Sequence, residues 1–299
     1  MTTEMPGLKP LEITDTLMIR DYLNRYPREN CDYTITNLIV WGMIYNNMYL
    51  LWKDSLVFFN PRHKYIFFPV GEGFSPRDLR ELVLEFKRYY PDAEMILFPE
   101  DYLQQHPEIQ ELFEIHEDRA WADYLYQTQK MVSLSGKKLA KKKNLISQFV
   151  RAYPHYKVLK IKDEHLEVLL QFTNKWRKER SAEGIYLMTE LKAIENTLAH
   201  WHELPVEGLI ICLDYKIAAY SIFSAQTTNM ATVHFEKFDP DKKGSAQIIN
   251  WETARYLSER FDWINREQDI GLEGLRQAKL SYAPDRFAQF YASQLRDNS

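Results

Sequence analysis

Hydrophobic positions fall at two spacings along this chain. Where they recur every three or four residues they predict helices, and where they alternate or cluster in short runs they predict strands. A helical stretch opens the chain at 11–27, LEITDTLMIRDYLNRYP. MYLLW (48–52), SLVFF (55–59) and YIFFPVG (65–71) follow at strand density, the first two joined by a Lys-Asp turn that reads as a hairpin. Residues 75–91 predict a helix with defined ends: Ser75 suits the cap, Pro76 the first position, and Pro91 the stop. AEMILF (93–98) predicts a strand, 100–113 a helix and ADYLYQ (122–127) another strand. The first half thus mixes helices with a largely antiparallel sheet.

A second unit is expected from residue 131, giving domains at 1–130 and 131–299. The stretch 135–154 predicts an amphipathic helix with Leu139, Lys143, Ile146 and Phe149 or Val150 on its inner side. KVLKI (157–161) is a strand, and 163–180 and 188–204 are helices. Three strands then follow in succession, 207–214, 216–226 and 230–238, with turns short enough for an antiparallel meander. A helix at 245–260, a strand at 261–265 and a last helix before Pro284 close the unit. Both halves share a hairpin followed by strand–helix alternation, without a residue-level repeat.

Composition narrows the function classes. A hydrophobic fraction of 45% and a charged fraction of 27% belong to a globular protein, and the net charge of -4 argues against sequence-independent coating of nucleic acid. No apolar run reaches the roughly 18 residues of a membrane helix. The N-terminus lacks the charged and apolar regions of a signal peptide. Cys31 and Cys212 give neither metal spacing nor a disulfide framework, so a reduced, cytoplasmic setting is expected and no metal site. Nucleophile-elbow, Walker A, dinucleotide and HExxH motifs are all absent.

Four places carry candidate chemistry. On the strand 230–238, strict alternation puts Ala231, Val233 and Phe235 on one face and Thr232, His234, Glu236 and Phe238 on the other. That polar face either meets water or lines a cleft in which His234 or Glu236 accepts a proton. The turn DPDKKGSAQ (239–247) sets Lys242, Lys243 and Gly244 before a helix whose first residues are Ser245, Ala246 and Gln247, a favourable place for phosphate. Asn250 falls on the inner face of that helix. In the last helix, Leu272, Leu275, Lys279, Tyr282 and Ala283 share one side, with Arg276 at its edge. A buried ammonium needs a partner. Lys279 is therefore half of an ion pair with Glu267 or Asp269, or, with Arg276, it projects into a cleft that receives an anionic or carbonyl-bearing substrate. Finally, Lys137, Lys138, Lys141, Lys142 and Lys143 form the most basic run, which is a solvated helix face or a docking surface for RNA phosphates.

GKKLAKKKN (136–144), HFEKFDP (234–240), KKGSAQIIN (242–250) and WINREQDIGLEGLRQAKLSYAP (263–284) together resemble the family of proteins related to the C-terminal domain of phosphatidylglycerol lysyltransferase. The resemblance implies an α+β chain of two tandem GNAT-like domains, each a mixed, largely antiparallel sheet flanked by helices. It implies that Lys242 to Gln247 hold the phosphates of an acyl carrier, with Lys137, Lys138, Lys141 and Lys142 available to RNA. Glu236, Asp269 and Lys279 become the implied catalytic groups, and His234, Asn250, Glu267, Arg276 and Tyr282 the substrate-binding ones. The lysyltransferase relatives pass an aminoacyl group from aminoacyl-tRNA to a lipid hydroxyl. An acyltransferase is therefore expected, using aminoacyl-tRNA or acyl-CoA and no tightly bound cofactor, with direct attack by an amine or hydroxyl acceptor. Those relatives carry membrane helices ahead of this domain and this chain has none, so the acceptor is as readily a small amine, peptide or cell-wall precursor. The alternative is a non-catalytic protein of the same fold that binds tRNA or a nucleotide-bearing ligand.

Overall fold

The computed structural model describes residues 5–178 and 185–296, which pack as two units. The first comprises the described residues up to Ala122 and those from Ala288 onward, and the second is Asp123–Phe287. The first contains β1 (Lys9–Pro10), α1 (Thr16–Arg25), α2 (Ile35–Tyr45), β2 (Met48–Trp52), β3 (Ser55–Asn60), β4 (Tyr65–Phe67), α3 (Pro76–Lys87), β5 (Glu94–Ile96), α4 (Glu100–Gln105) and β6 (Phe113–Glu117). The second contains β7 (Asp123–Gln127), α5 (Thr128–Ser133), α6 (Ala140–Ala152), β8 (Lys157–Lys160), α7 (Asp163–Lys178), α8 (Ile185–Ala199), β9 (Val206–Leu213), β10 (Lys216–Ala225), β11 (Met230–Phe238), α9 (Ser245–Leu257), β12 (Trp263–Asn265), α10 (Glu273–Leu280) and β13 (Arg286–Ala288). A final strand, β14 (Tyr291–Leu295), belongs to the first sheet.

The expected boundary at 130/131 falls inside α5. β7 pairs with β12, which places it in the second sheet, while β14 pairs with β5 and β6 and carries the chain's last described strand into the first. Of the helix expected at 163–180, Glu179 and Arg180 lie outside the described residues. The helix expected over 100–113 stops at Gln105 and gives way to a 3-10 turn at Pro107–Glu111.

Both sheets have seven strands, in the orders β1-β2-β3-β4-β5-β14-β6 and β8-β9-β10-β11-β12-β7-β13. The correspondence extends to strand direction. β4 and β5 are parallel and so are β11 and β12, and each parallel pair is bridged by one helix, α3 or α9. Every other neighbouring pair from β1 to β6 and from β8 to β7 is antiparallel. The duplication is therefore one of topology, carried by chain order without sequence identity.

Aromatic residues fill the first core. Phe59, Phe68, Phe86, Phe98 and Phe113 are fully or almost fully buried around α3, and each contributes roughly 1.5–3 kcal/mol by leaving water. The second core lies where α5, α6 and α9 cover the sheet, around Tyr124, Tyr126, Phe149, Phe223, Ile248, Ile249 and Leu257. α7 also packs on β10 and β11, where Thr173 Oγ1 meets the Tyr220 hydroxyl at 2.6 Å and Lys237 pairs with Glu190 of α8 at 2.7 Å. Both cysteines are free thiols.

Candidate functional site

The parallel pairing of β11 and β12 lasts for three positions, Met230–Trp263, Ala231–Ile264 and Thr232–Asn265. β11 then runs on to Phe238 while β12 ends, so its unpaired stretch faces the loop that follows Asn265. Carboxyl ends of parallel strands are where α/β sheets open and admit ligands. Here the opening holds a dense set of polar side chains, all within the second unit.

A β-bulge sets their directions. Ile222 pairs with Phe235 and Phe223 with Val233, leaving His234 as the extra residue. Bulges re-aim side chains and break the two-residue period. The face assignment made from strict alternation is accordingly corrected: Ala231, Val233 and Phe238 meet one core, although alternation parts Phe238 from the other two. His234 and Glu236 take separate partners on the loop. His234 Nδ1 lies 2.9 Å from Glu267 Oε1 and its Nε2 2.8 Å from Ser224 Oγ, with its side chain 1% exposed. A carboxylate only accepts, so Nδ1 carries the hydrogen that bonds Glu267, while Nε2 and the serine hydroxyl share the second bond. Glu236 forms an ion pair with Arg266, and the Asn250 amide oxygen accepts from Arg266 Nη1 and Nη2 at 2.8 and 3.1 Å. Arg266 is deeply buried, which disfavours its charge, but the carboxylate of Glu236 outweighs that and raises its pKa.

Adjacent loop residues thus reach different partners, and Glu267 does so with φ at 57°. That left-handed backbone is costly for a side-chain-bearing residue and persists only when the surroundings enforce it. The enforcement is visible. Lys279 Nζ donates to the carbonyls of Arg266, at 2.6 Å, and of Gln268. Asn265 Oδ1 accepts from the Glu267 N–H at 2.7 Å. Asp269, with no exposed surface, accepts from both Arg276 Nε and Nη2 (2.8 and 2.9 Å), from the Tyr124 hydroxyl (2.5 Å) and from the Gly271 N–H (2.9 Å). Burial alone would raise the Asp269 pKa, but these bonds and the Arg276 charge bring it down to about 2. In α10 the buried residue is Lys279 itself, while Leu272 and Leu280 are exposed. What sequence periodicity presents as an apolar stripe is one lysine that braces a loop.

The remaining expected residues divide. Tyr282 is buried, with the Arg266 guanidinium 5.2 Å and Lys142 Nζ 4.2 Å from its ring centroid. Lys142, not Lys143, is the basic-run residue that turns inward, and Lys143 is exposed. Desolvation, together with the charges of Arg266 and Lys141, lowers the Lys142 pKa. Lys137, Lys138 and Lys141 are exposed at the start of α6. In the turn before α9, Ser245 Oγ donates to Asp239 O at 2.7 Å and the Ser245 N–H to Lys242 O at 2.9 Å. Gly244 (φ 90°) serves the fold: a Cβ there would lie 2.7 Å from Leu145 O of α6. Lys243 is exposed, Lys242, Ala246 and Gln247 are part-exposed, and Asn250 is buried. Arg266, Ser224, Tyr124 and Tyr126, whose hydroxyl donates to Lys279 O at 2.8 Å, complete the cluster, and the sequence motifs do not mark them. A serine inside an apolar strand and an arginine directly after one were the available signals.

The fold and this cluster define a protein of tandem GNAT-like architecture, with its polar centre where the parallel strands part. Residues 23–293 match the family described as phosphatidylglycerol lysyltransferase, C-terminal, and the chain belongs to that family. A conserved protein of unknown function from Bacteroides thetaiotaomicron is similar over 98% of this chain and 100% of its own, at 30% identity and a TM-score of 0.90. The C-terminal domain of a putative lysylphosphatidylglycerol synthetase from Agrobacterium fabrum matches 95% of this chain and 92% of its own, at 14% identity and a TM-score of 0.65. FemX shares the fold over 94% of this chain and 96% of its own, at 7% identity and a TM-score of 0.62. Among the described residues, no helix is long and apolar enough to cross a membrane.

Proposed function

We propose that this protein is an acyltransferase that moves an aminoacyl group from aminoacyl-tRNA, or an acyl group from acyl-CoA, to an amine or hydroxyl acceptor. The observation that carries the reading is the hydrogen-bonded chain Ser224–His234–Glu267 beside the Glu236–Arg266 pair, at the parted strands of a GNAT-like unit. The acceptor attacks the donor carbonyl in a ternary complex, its N–C or O–C bond forms, and the ester oxygen or thioester sulfur leaves with a proton. Catalysis then rests on positioning, proton transfer and stabilisation of the oxyanion.

Proton transfer falls to Glu267 backed by His234. Glu236 is committed to Arg266, and Asp269, holding four donated hydrogen bonds and a pKa near 2, is a poor base. Lys279 and Arg276 act as positioning residues, because their side chains hold the loop that carries Glu267. Lys142 and Tyr282 supply a cation and a hydroxyl for an anionic part of the donor, and Lys242 and Lys243 supply charge at the α9 N-terminus for its phosphates. A cytoplasmic setting goes with this reading, since that is where both donor classes are made.

The test is a transfer assay on the full chain with panels of charged tRNAs, acyl-CoAs and amine or hydroxyl acceptors. His234→Gln and Glu267→Gln are each expected to lower the transfer rate about 10²–10⁴-fold while donor binding persists. A second reading, a non-catalytic RNA binder, draws on the exposed Lys137, Lys138 and Lys141. Salt-sensitive tRNA binding that is lost when these are neutralised, with no turnover of any donor, would favour it over the enzyme.

A further inference from the structure

Among the described residues, the cations gathered around Arg266 and Tyr282 are held by acceptors, except Lys142. Arg266 is paired with Glu236 and the Asn250 amide oxygen, Arg276 with Asp269, and Lys279 with two backbone carbonyls. Lys142 makes no hydrogen bond or ion pair among the described residues. Its Nζ lies 4.2 Å from the centroid of the Tyr282 ring, and the Arg266 guanidinium lies 5.2 Å from the same centroid. The acids of this region are already taken, Glu236 by Arg266, and Asp285, three residues on from Tyr282, by Lys130 at 2.9 Å.

The helix fixes this placement. Ile146 and Phe149, four and seven residues after Lys142, are buried, so the Lys142 stem starts on the covered side of α6. Lys137, Lys138, Lys141 and Lys143 are exposed. A lysine on a covered face usually extends its ammonium into water. Here the ammonium ends over a ring and beside a guanidinium. Desolvation, and then the charges of Arg266 and Lys141, disfavour the protonated form and lower its pKa. A larger share of Lys142 is therefore free amine at neutral pH than for a lysine in water. A desolvated amine beside another cation is the arrangement that makes lysine a nucleophile.

We propose that Lys142 is an acyl-accepting residue, whose amine attacks an activated ester or thioester and becomes a stable amide. The C–N bond forms, the C–O or C–S bond breaks, and the proton lost from nitrogen leaves with the alcohol or thiol. The amide is neutral, so its formation relieves the repulsion among Lys142, Lys141 and Arg266. It also removes the cation offered to the anionic part of the donor, so the modified chain binds donor more weakly. That last consequence rests on the transferase reading, whereas the acylation itself needs only an activated acyl group.

The experiment treats the full chain with p-nitrophenyl acetate, a small activated ester, and follows acetylation of each lysine by peptide mapping and mass spectrometry. Lys137, Lys138, Lys141 and Lys143 serve as internal controls on the same segment. At pH 7, Lys142 is expected to react about tenfold faster than any of these four. The groups that face it and set this ratio are Arg266, Tyr282 and Lys141. The ratio should shrink as the pH rises towards about 10, where lysines in water also lose their protons. Lys142→Arg should abolish the fast labelling and leave the four controls unchanged. Acetylation of Lys142 no faster than its exposed neighbours, or a ratio that pH does not alter, would overturn the proposal. The probe needs neither a tRNA nor a coenzyme A site. Fast labelling of Lys142 without transfer to any acceptor would therefore count against the transferase reading alone.

Discussion

Asp269 gathers the Arg276 charge and the Tyr124 and Gly271 donors on one buried carboxylate. Its folded pKa of about 2 lies below the ordinary 3.8, so the stabilisation it contributes is complete above about pH 4 and fades as pH falls towards 2. The shift corresponds to about 2 kcal/mol at neutral pH. Asp269→Asn should therefore cost about that much in urea unfolding at pH 7 and progressively less below pH 4; an equal cost at pH 7 and pH 2.5 would contradict it. Lys279 makes a different statement. Removing its ammonium in Lys279→Met leaves the Arg266 and Gln268 carbonyls without their donor, a loss of roughly 1–3 kcal/mol. Stability should fall by that amount, and acyl transfer with it, because the loop carrying Glu267 loosens. If Lys279 touched substrate instead, KM would rise with stability unchanged. The residue types of this site were legible in sequence: His234, Glu236, Asn250, Glu267, Asp269, Arg276, Lys279 and Tyr282 all enter one connected region. Their roles were not, because spacing cannot say whether an inward cation meets a guest or a backbone carbonyl.

At the scale of elements, the same limits have identifiable causes. The bulge at His234 inserts one residue into β11, and period-two reasoning assigns everything beyond it to the wrong face. α2 is apolar on almost every side, so no stripe marks it as a helix, whereas α3 shows its amphipathic face and its Ser75–Asp78 capping box openly. In the basic run, a four-residue step from Leu139 points to Lys143, whereas the buried Ile146 and Phe149 stand four and seven residues after Lys142, which is the lysine that turns inward. Contact between α6 and α9 also gives a sharp test. At Gly244 the left-handed backbone and the nearby Leu145 carbonyl both oppose a side chain, so Gly244→Ala should destabilise the protein by about 1–3 kcal/mol. A variant as stable as the parent in denaturant unfolding would show that α6 can move aside without cost.

For the whole molecule, the matching strand orders make each seven-stranded sheet depend on a strand distant in sequence: β14 lies between β5 and β6, as β7 lies between β12 and β13. The sequence shows the strand–helix alternation of both halves and β7 itself, as ADYLYQ, but neither β14 nor the distant pairing of either inner strand, since partners so far apart leave no local signal. Deleting residues 288–299 removes an interior strand of the first sheet and exposes the edges of β5 and β6. The truncated protein should lose cooperative unfolding and aggregate; a soluble form with a single sharp transition would contradict that. The central claim is chemical, and the most direct measurement follows the acyl–donor bond itself. Purified protein is mixed with each aminoacyl-tRNA or acyl-CoA plus the acceptor panel, and donor cleavage and acylated product are quantified together by mass spectrometry. The account predicts protein-dependent transfer from at least one donor that drops about 10²-fold or more in Glu267→Gln with donor affinity retained. Intact donors throughout, or transfer that Glu267→Gln and His234→Gln leave at the parent rate, would contradict it.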